Sequence, residues 1–256
     1  VANSSKKPAS RVIIDDLTFQ PIQVTIETVG TAEAKKSVSL YPAAADKVTK
    51  VAFLPGDYVE QGTLLLELDA RRQVAALKRA EIELAETQRN VDRLLKSKAK
   101  GAVTGSEVDQ GLALFELAKV TVLEAQADLQ DRRVLAPFSG YLGLTDVEVG
   151  DRINQSTLIT TIDDRTQLFI NFSVPESSYN LVAADAEVLV QPWNNRDSLF
   201  NAALAQLDSR IDEQNRTLKV RAILDNSDDK LRPGLSFKVS LTSDGEYYPV
   251  VPEAAL

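Results

Sequence analysis

Three residue types are missing from this sequence: cysteine, histidine and methionine. Their absence excludes disulfides, thiolate or imidazole metal sites, and catalytic triads or dyads that need histidine or a cysteine nucleophile. The sulfur ligands that would hold Cu(I) are missing too. An enzyme would have to work with carboxylate, lysine or tyrosine groups, and no glycine-rich phosphate loop accompanies them. We therefore expect no enzymatic activity, no catalytic residue, no cofactor and no metal site.

Basic residues are fewer than acidic ones, and long apolar runs are missing. The 256 residues include 29 basic and 37 acidic side chains, a formal net charge of −8. This balance disfavours nucleic acid as a partner, because binding to phosphates needs a concentrated positive field. No run reaches the roughly 18 apolar residues that a membrane-spanning helix needs.

The chain contains an internal repeat. Segments 55–69 and 149–163 both carry a Gly-Asp turn, then a short polar stretch, then an apolar segment that closes on aspartate. This order is typical of a turn followed by a strand. A unit this short cannot bury an apolar face alone, so we predict that the two halves pack into one small β-sandwich.

The residues between the two halves have the pattern of a helical hairpin. Segment 71–133 contains no proline, and glycines interrupt it at Gly101 and Gly105. Core positions recur at intervals of seven in both arms: Leu77, Leu84 and Val91, with Ala80, Thr87 and Leu94 three residues after each, and then Val108, Phe115, Val122 and Leu129. We predict two antiparallel helices that form a coiled coil with one apolar seam.

Beyond Asp164 the pattern changes to the alternation of half-buried strands. Apolar residues alternate with polar ones in segments 168–174, 218–224 and 235–241, and Val24 with Ile26 supplies one more strand. Turn signals separate these segments. We predict a small antiparallel β-barrel.

Six segments carry a resemblance to a known family through their order and spacing: 48–69, Ala136–Gly140, Val149–Asp151, Asn215–Thr217, Leu231–Gly234 and Val251–Leu256. The chain resembles, over nearly its whole length, the membrane fusion proteins, or periplasmic adaptors, of tripartite efflux pumps. The resemblance is to members that serve resistance-nodulation-division transporters in particular.

The fold that this resemblance implies is mostly β with an inserted α-helical hairpin. It consists of a split lipoyl-like β-sandwich, an antiparallel coiled-coil hairpin, a small antiparallel β-barrel and a partial membrane-proximal β region. The implied domains are an incomplete membrane-proximal region (1–22 and 243–256), a β-barrel domain (23–37 and 165–242), a lipoyl-like domain (38–69 and 134–164) and the hairpin (70–133).

The function that the resemblance implies is that of a scaffold. The chain would link an inner-membrane transporter to an outer-membrane channel for the export of drugs or other small molecules, and it would self-associate as a hexamer. It would be periplasmic, anchored to the inner membrane through an N-terminal lipid or helix absent from this chain. An adaptor for an ABC-type or major-facilitator exporter is the alternative within the family.

At the tip of the hairpin, the resemblance implies a contact with the channel through an arginine, a leucine and a hydroxyl residue. The matching residues are Arg93, Leu95 and Thr104, with Arg89 as a second candidate for the arginine. Thr104 also begins the sequence Thr-Gly-Ser-Glu, which is typical of a capping box at the start of a helix.

A lipoyl or biotinyl carrier is the alternative from another class, because the two halves of the repeat look like such domains. Carriers present a modified lysine on the turn between their halves. Here Leu68 and Asp69 continue through Ala70 directly into the predicted helix, and the next lysine, Lys78, lies within that helix. The sequence therefore favours the adaptor over the carrier.

Overall fold

The structure is a computed structural model that describes residues 18–21, 24–182, 186–195, 197–243 and 247–250. Within these residues the elements are β1 (Thr18–Pro21), β2 (Val24–Leu40), β3 (Asp46–Val51), β4 (Tyr58–Val59), β5 (Leu64–Leu68), α1 (Arg71–Lys98), α2 (Gly105–Gln130), β6 (Arg133–Leu135), β7 (Gly140–Leu142), β8 (Arg152–Ile153), β9 (Thr160–Pro175), β10 (Glu187–Pro192), β11 (Phe200–Asp212), β12 (Thr217–Asp225), β13 (Ser236–Ser243) and β14 (Tyr247–Val250). A short 3-10 helix at Glu176–Leu181 follows β9.

The described chain divides into two compact units. One unit combines residues 1–33 with 166–256, and the other consists of residues 34–165. Strands β2 and β9 contribute residues to both. The finer division into four domains, with the boundaries given above, stays a prediction.

The first unit contains the predicted barrel. Among the described residues, six strands follow one another in the order β12, β11, β10, β13, β2 and β9, and the pairing of β12 with β9 closes the ring. The alternating apolar residues of β9, β12 and β13 are buried inside it, together with Val188 and Val190 of β10. Closure leaves these six strands without the open edges that favour aggregation.

A buried asparagine fixes one loop of this unit. Asn226 accepts a hydrogen bond from the backbone N–H of Leu231 at 2.9 Å, and its amide nitrogen donates to the carbonyl of the same residue at 3.1 Å. These two bonds satisfy polar groups that would otherwise be buried without partners. The loop between β12 and β13, which the sequence marks only as a turn, therefore has a defined conformation.

Strands β1 and β14 form a separate antiparallel pair, from Thr18 opposite Val250 to Pro21 opposite Tyr247. They lie within the predicted membrane-proximal region at 1–22 and 243–256, whereas Ser243, the first residue of the second range, is the last residue of β13. The segment Val251–Leu256, which contributed to the family resemblance, lies outside the described residues.

The second unit contains the predicted split sandwich. Strands β6, β5, β3 and β8 form one sheet, and β9, β7 and β4 pair in the other. Their common core draws on both halves of the repeat, with Leu65 and Leu66 from the first half and Ile159 and Ile162 from the second completely buried. The predicted packing of the two halves against each other is confirmed.

The two Gly-Asp turns make equivalent contacts, each with the opposite half. The N–H of Gly56 donates to the carbonyl of Leu142 at 3.0 Å, and the N–H of Gly150 donates to the carbonyl of Val48 at 2.9 Å. Both glycines have a positive φ, +88° and +109°, which is strained for residues with a side chain. The two halves of the sequence repeat are thus related by approximate symmetry in the structure, and the turn of each half is hydrogen-bonded to the other half.

Helices α1 and α2 form the predicted antiparallel hairpin. All ten predicted seam residues are buried or half-buried. The structure adds three small residues to the seam of α2, Gly111, Ala118 and Ala125, all of them buried. Small residues allow the two helices to approach closely, and one contact is particularly tight: a Cβ atom added at Gly111 would lie 2.6 Å from Cδ1 of Leu94.

Candidate functional site

The tip of the hairpin is the turn from Ala99 to Thr104. The N–H of Gly101 donates to the carbonyl of Lys98 at 2.9 Å, and the N–H of Ala102 donates to that of Ser97 at 3.0 Å. This pair of bonds is a Schellman motif, which ends a helix with a residue of positive φ, here Gly101 at +70°. The local sequence therefore ends α1 at a defined point and reverses the chain.

Thr104 begins α2 with the predicted capping box. Its hydroxyl accepts from the N–H of Glu107 at 3.3 Å, while the Glu107 carboxylate accepts from the N–H of Thr104 at 2.7 Å and from its hydroxyl at 2.8 Å. These bonds to Thr104 lower the pKa of the Glu107 carboxyl group. The capping role is confirmed, and Thr104 remains exposed at the surface of the tip.

Arg93 and Leu95 lie near the end of α1, and both are exposed. The guanidinium of Arg93 donates to Oδ1 of Asn90 at 2.7 Å, one turn earlier in the same helix. Leu95 lies next to Leu94, the residue that fills the space at Gly111. Leu94 therefore belongs to the seam, whereas Leu95 is available to a partner.

The structure also reveals a basic cluster that the sequence analysis did not predict. Arg89, Arg93, Lys96 and Lys100 line one open depression beside the tip, together with Asp92 and Ser97. Arg89, Arg93 and Lys96 are spaced by three or four positions, which places them on one face of α1, and Lys100 follows in the turn. Helical periodicity carried this signal. Both candidate arginines, Arg89 and Arg93, belong to this cluster.

At the base of the hairpin, the turn where a carrier would present its lysine contains Asp69 and Ala70. The Asp69 carboxylate accepts from the Arg71 backbone N–H at 3.1 Å and from the Arg71 Nε at 2.9 Å. It therefore satisfies a backbone donor in the first turn of α1. Lys78 lies two turns into the helix, where it pairs with Glu81 at 3.3 Å.

The Asp69 contact gives a test of the structure by titration. Hydrogen bonds from the side chain and backbone of Arg71 lower the pKa of Asp69 from 3.8 to about 2. Because the folded pKa lies below the unfolded one, the stabilisation is present above pH 3.8 and is lost as the pH falls towards about 2. We expect NMR titration of the Asp69 side chain to give a midpoint near the lower value.

Arg71→Gln should bring this midpoint back towards 3.8, whereas Arg72→Gln should have a smaller effect, because Arg72 acts only through its charge. Equal shifts in the two variants would contradict the assigned contact.

Comparison with known proteins identifies the family. Residues 167–245, which include most of the barrel, match the family model described as CusB-like, beta-barrel domain. The multidrug resistance protein MdtA of Escherichia fergusonii is 30% identical over 251 residues, which cover 89% of this chain and 60% of MdtA. The chain belongs to the membrane fusion protein family. The predicted family is therefore confirmed, and the comparisons favour the adaptor over the carrier.

Two solved membrane fusion proteins share the predicted fold. The MacA-MexA chimeric protein, which contains the Pseudomonas aeruginosa MexA α-hairpin, is 22% identical and superposes with a TM-score of 0.82, covering 93% of this chain and 88% of the chimera. MacA from Actinobacillus actinomycetemcomitans is 17% identical with a TM-score of 0.68, covering 96% of this chain and 86% of MacA.

Membrane fusion proteins are periplasmic. Within the described residues, neither helix combines the length and the hydropathy of a membrane span. The chain matches about 60% of the length of MdtA.

Proposed function

We propose that this protein is the periplasmic adaptor of a tripartite efflux pump and has no catalytic role. It links an inner-membrane transporter to an outer-membrane channel, and its hairpin tip makes the contact with the channel. The observation that carries this proposal is the tip itself, because Leu95 is exposed beside a cluster of four basic side chains at the end of a hairpin in a chain of this family.

The chemistry of the tip fits a protein partner. An exposed leucine offers apolar contact, and arginine side chains donate several hydrogen bonds to carboxylates or carbonyls. Thr104 keeps an exposed position while it caps α2. Arg93, Leu95 and Thr104 are the proposed contact residues, and Arg89 is the second candidate arginine.

The transporter that we propose is of the resistance-nodulation-division type, and the cargo is a drug or another small molecule. The match of residues 167–245 to the CusB-like family model supports this transporter type. The name of the relative MdtA, a multidrug resistance protein, supports the cargo class. We further propose a hexameric ring, in which several weak tip contacts add up to a stable yet reversible assembly.

The proposal can be tested with a single cysteine, since the chain has none of its own. Ala102→Cys places a thiol on the exposed tip of the full-length protein, and Glu86→Cys places one on an exposed position in the middle of α1. We expect crosslinking in cells to join the tip cysteine, and not the mid-arm cysteine, to an outer-membrane channel.

If a folded and exported Ala102→Cys protein gives no adduct with a channel, tip docking is wrong. If the adduct forms, Arg93→Ala and Thr104→Val can each be added to the Ala102→Cys protein. Loss of the adduct in one variant would show that its side chain is needed for docking. Thr104→Ser is the matched control for Thr104→Val, because serine keeps the hydroxyl that bonds to Glu107 and therefore retains the cap.

A further inference from the structure

The approximate symmetry of the sandwich relates two cross-strand pairs of different chemistry. Tyr58 lies opposite Tyr141 where β4 pairs with β7. Lys47 lies opposite Arg152 where β3 pairs with β8. Arg152 follows Tyr58 by 94 positions, which is the offset of the sequence repeat. Tyr141 follows Lys47 by the same interval, so the two pairs occupy equivalent places in the two halves.

One of these pairs stabilises the sheet and the other opposes it. The rings of Tyr58 and Tyr141 meet edge to face with their centroids 5.2 Å apart, a geometry that aromatic pairs favour. Lys47 and Arg152, which we call the cationic pair, place two positive charges directly opposite each other, an arrangement that destabilises a sheet. Residue choices that oppose the fold locally are found most often at functional sites.

The cationic pair lines an open depression at the base of α1, together with a third cation, Arg72. Arg71 and Ala75 of the same helix also line it, and two carboxylates, those of Asp46 and Asp69, complete its wall. The three cationic residues are all exposed. Their charged groups are therefore open to a ligand from solution.

The two carboxylates of the depression do not neutralise these cations, because each is bound to another arginine. Asp46 accepts a hydrogen bond from Nη1 of Arg132 at 3.0 Å, and Asp69 accepts one from Nε of Arg71 at 2.9 Å. Among the residues that the structure describes, the side chains of the cationic pair and of Arg72 have no hydrogen-bond or ion-pair partner. Three cations thus share one depression without a counterion, in a chain whose formal net charge is −8.

We propose that this depression is an anion-binding site, in which Lys47, Arg72 and Arg152 bind a terminal phosphate group, either free or part of a larger molecule. Guanidinium and ammonium groups donate strong, charge-assisted hydrogen bonds to phosphate oxygens. The bound anion turns the repulsion within the cationic pair into two attractive contacts. The inference goes beyond the proposed adaptor function and does not depend on it.

A carboxylate of another protein is the other anion that the depression could attract. A carboxylate has one charge and two oxygens, whereas a terminal phosphate has three oxygens and a charge of about −2 near neutral pH. One carboxylate would therefore leave at least one of the three cations without a partner. A protein segment would have to bring several carboxylates together beside Asp46 and Asp69, which repel them. The charges therefore favour the phosphate group.

Urea unfolding of the whole chain at constant ionic strength tests the site, with far-ultraviolet circular dichroism as the readout. We expect inorganic phosphate to raise the unfolding midpoint more than chloride or acetate does, because a ligand that binds only the folded state stabilises it. The dependence of this midpoint on phosphate concentration gives the affinity. Lys47→Gln and Arg152→Gln should each weaken phosphate binding by about tenfold, since each removes a charge-assisted hydrogen bond.

Lys50→Gln is the matched control. Lys50 is exposed on the same strand as Lys47 but does not line the depression, so its substitution should leave the phosphate affinity unchanged. In chloride alone, Lys47→Gln should raise the unfolding midpoint, because it removes one of two like charges, and Lys50→Gln should not. Damage to the fold would lower the midpoint instead, so a higher midpoint with a weaker affinity identifies the loss of a binding group.

Vesicles distinguish the two sources of a terminal phosphate. Cosedimentation with vesicles that contain phosphatidic acid, but not with phosphatidylcholine vesicles, would identify a lipid headgroup as the ligand if Arg152→Gln reduces it. Stabilisation by inorganic phosphate without cosedimentation would identify a soluble phosphate compound. Either result supports the site.

Two results would overturn the site. An equal response to phosphate, acetate and chloride would mean that ions only screen the charges, and an unchanged phosphate affinity in both Lys47→Gln and Arg152→Gln would exclude the cationic pair as the binding groups. Neither result bears on the proposed adaptor function, because the crosslink of Ala102→Cys to a channel reports on the other end of the hairpin.

Discussion

Replacing Phe237 by alanine is expected to destabilise the barrel unit by about 3–5 kcal/mol. Phe237 lies on β13, is 0% exposed and belongs to the common core of the barrel strands. Removing its ring creates a cavity among β-branched and leucine side chains that cannot collapse completely, and apolar burial is lost with it. The only tryptophan, Trp193, belongs to the same unit, so urea unfolding followed by its fluorescence measures this effect.

Phe19→Ala is the matched control for this variant. Phe19 is 59% exposed and lies in the same unit, so the same substitution there should change the free energy of unfolding by only about 0.5 kcal/mol. A similar loss in both variants would mean that Phe237 is not part of a packed barrel core.

Leu65→Ala is expected to destabilise the second unit by about 2–5 kcal/mol. Leu65 lies on β5 in the first half of the repeat, is 0% exposed and shares its core with Ile159 and Ile162 of the second half. The cavity would therefore weaken the contact between the two halves. Both helices belong to this unit, so far-ultraviolet circular dichroism during urea unfolding follows it.

Leu54→Ala tests whether burial is the cause. Leu54 is 70% exposed in the same unit and loses the same atoms on substitution. We expect a change within about 0.5 kcal/mol. If Leu54→Ala were as harmful as Leu65→Ala, the loss would not come from the shared core of the two halves.

The fold shows how the tip of the hairpin is attached to the sandwich. The chain leaves one half of the sandwich at Asp69, travels out along α1 and returns along α2 to Arg133, where the second half begins. The tip is thus held by a sandwich whose two halves are tied together by reciprocal turn contacts. We expect such a base to keep the direction of the hairpin fixed, which a weak multivalent contact requires.

The hairpin shows how far sequence reasoning extends for a candidate site. The seam, the interruption of the helical pattern at Gly101 and the cap at Thr104 were predicted, because periodicity and capping act over a few residues. The basic cluster was missed although its spacing was visible, since each arginine was considered singly. The roles of Arg93, Leu95 and Thr104 in docking stay predictions.

The barrel shows which strands the sequence does not reveal. Three alternating segments and the extra strand with Val24 and Ile26 were predicted and are confirmed as parts of β9, β12, β13 and β2. Strands β10 and β11 were not predicted individually. Strand β11 is largely exposed and its register shifts twice against β12, so it lacks the regular alternation that marks a strand in a sequence.

The sequence by itself determined the local chemistry of this protein: two Gly-Asp turns, two helices with one seam, a capped tip, and the absence of cysteine and histidine ligands. Each of these depends on residues within a few positions of one another. Tertiary structure alone decided the closure of the barrel by β12 and β9, and which apolar residues of α2 remain uncovered. The physical reason is that pairing and burial depend on residues far apart in the chain, and a periodic pattern does not specify which partner covers it.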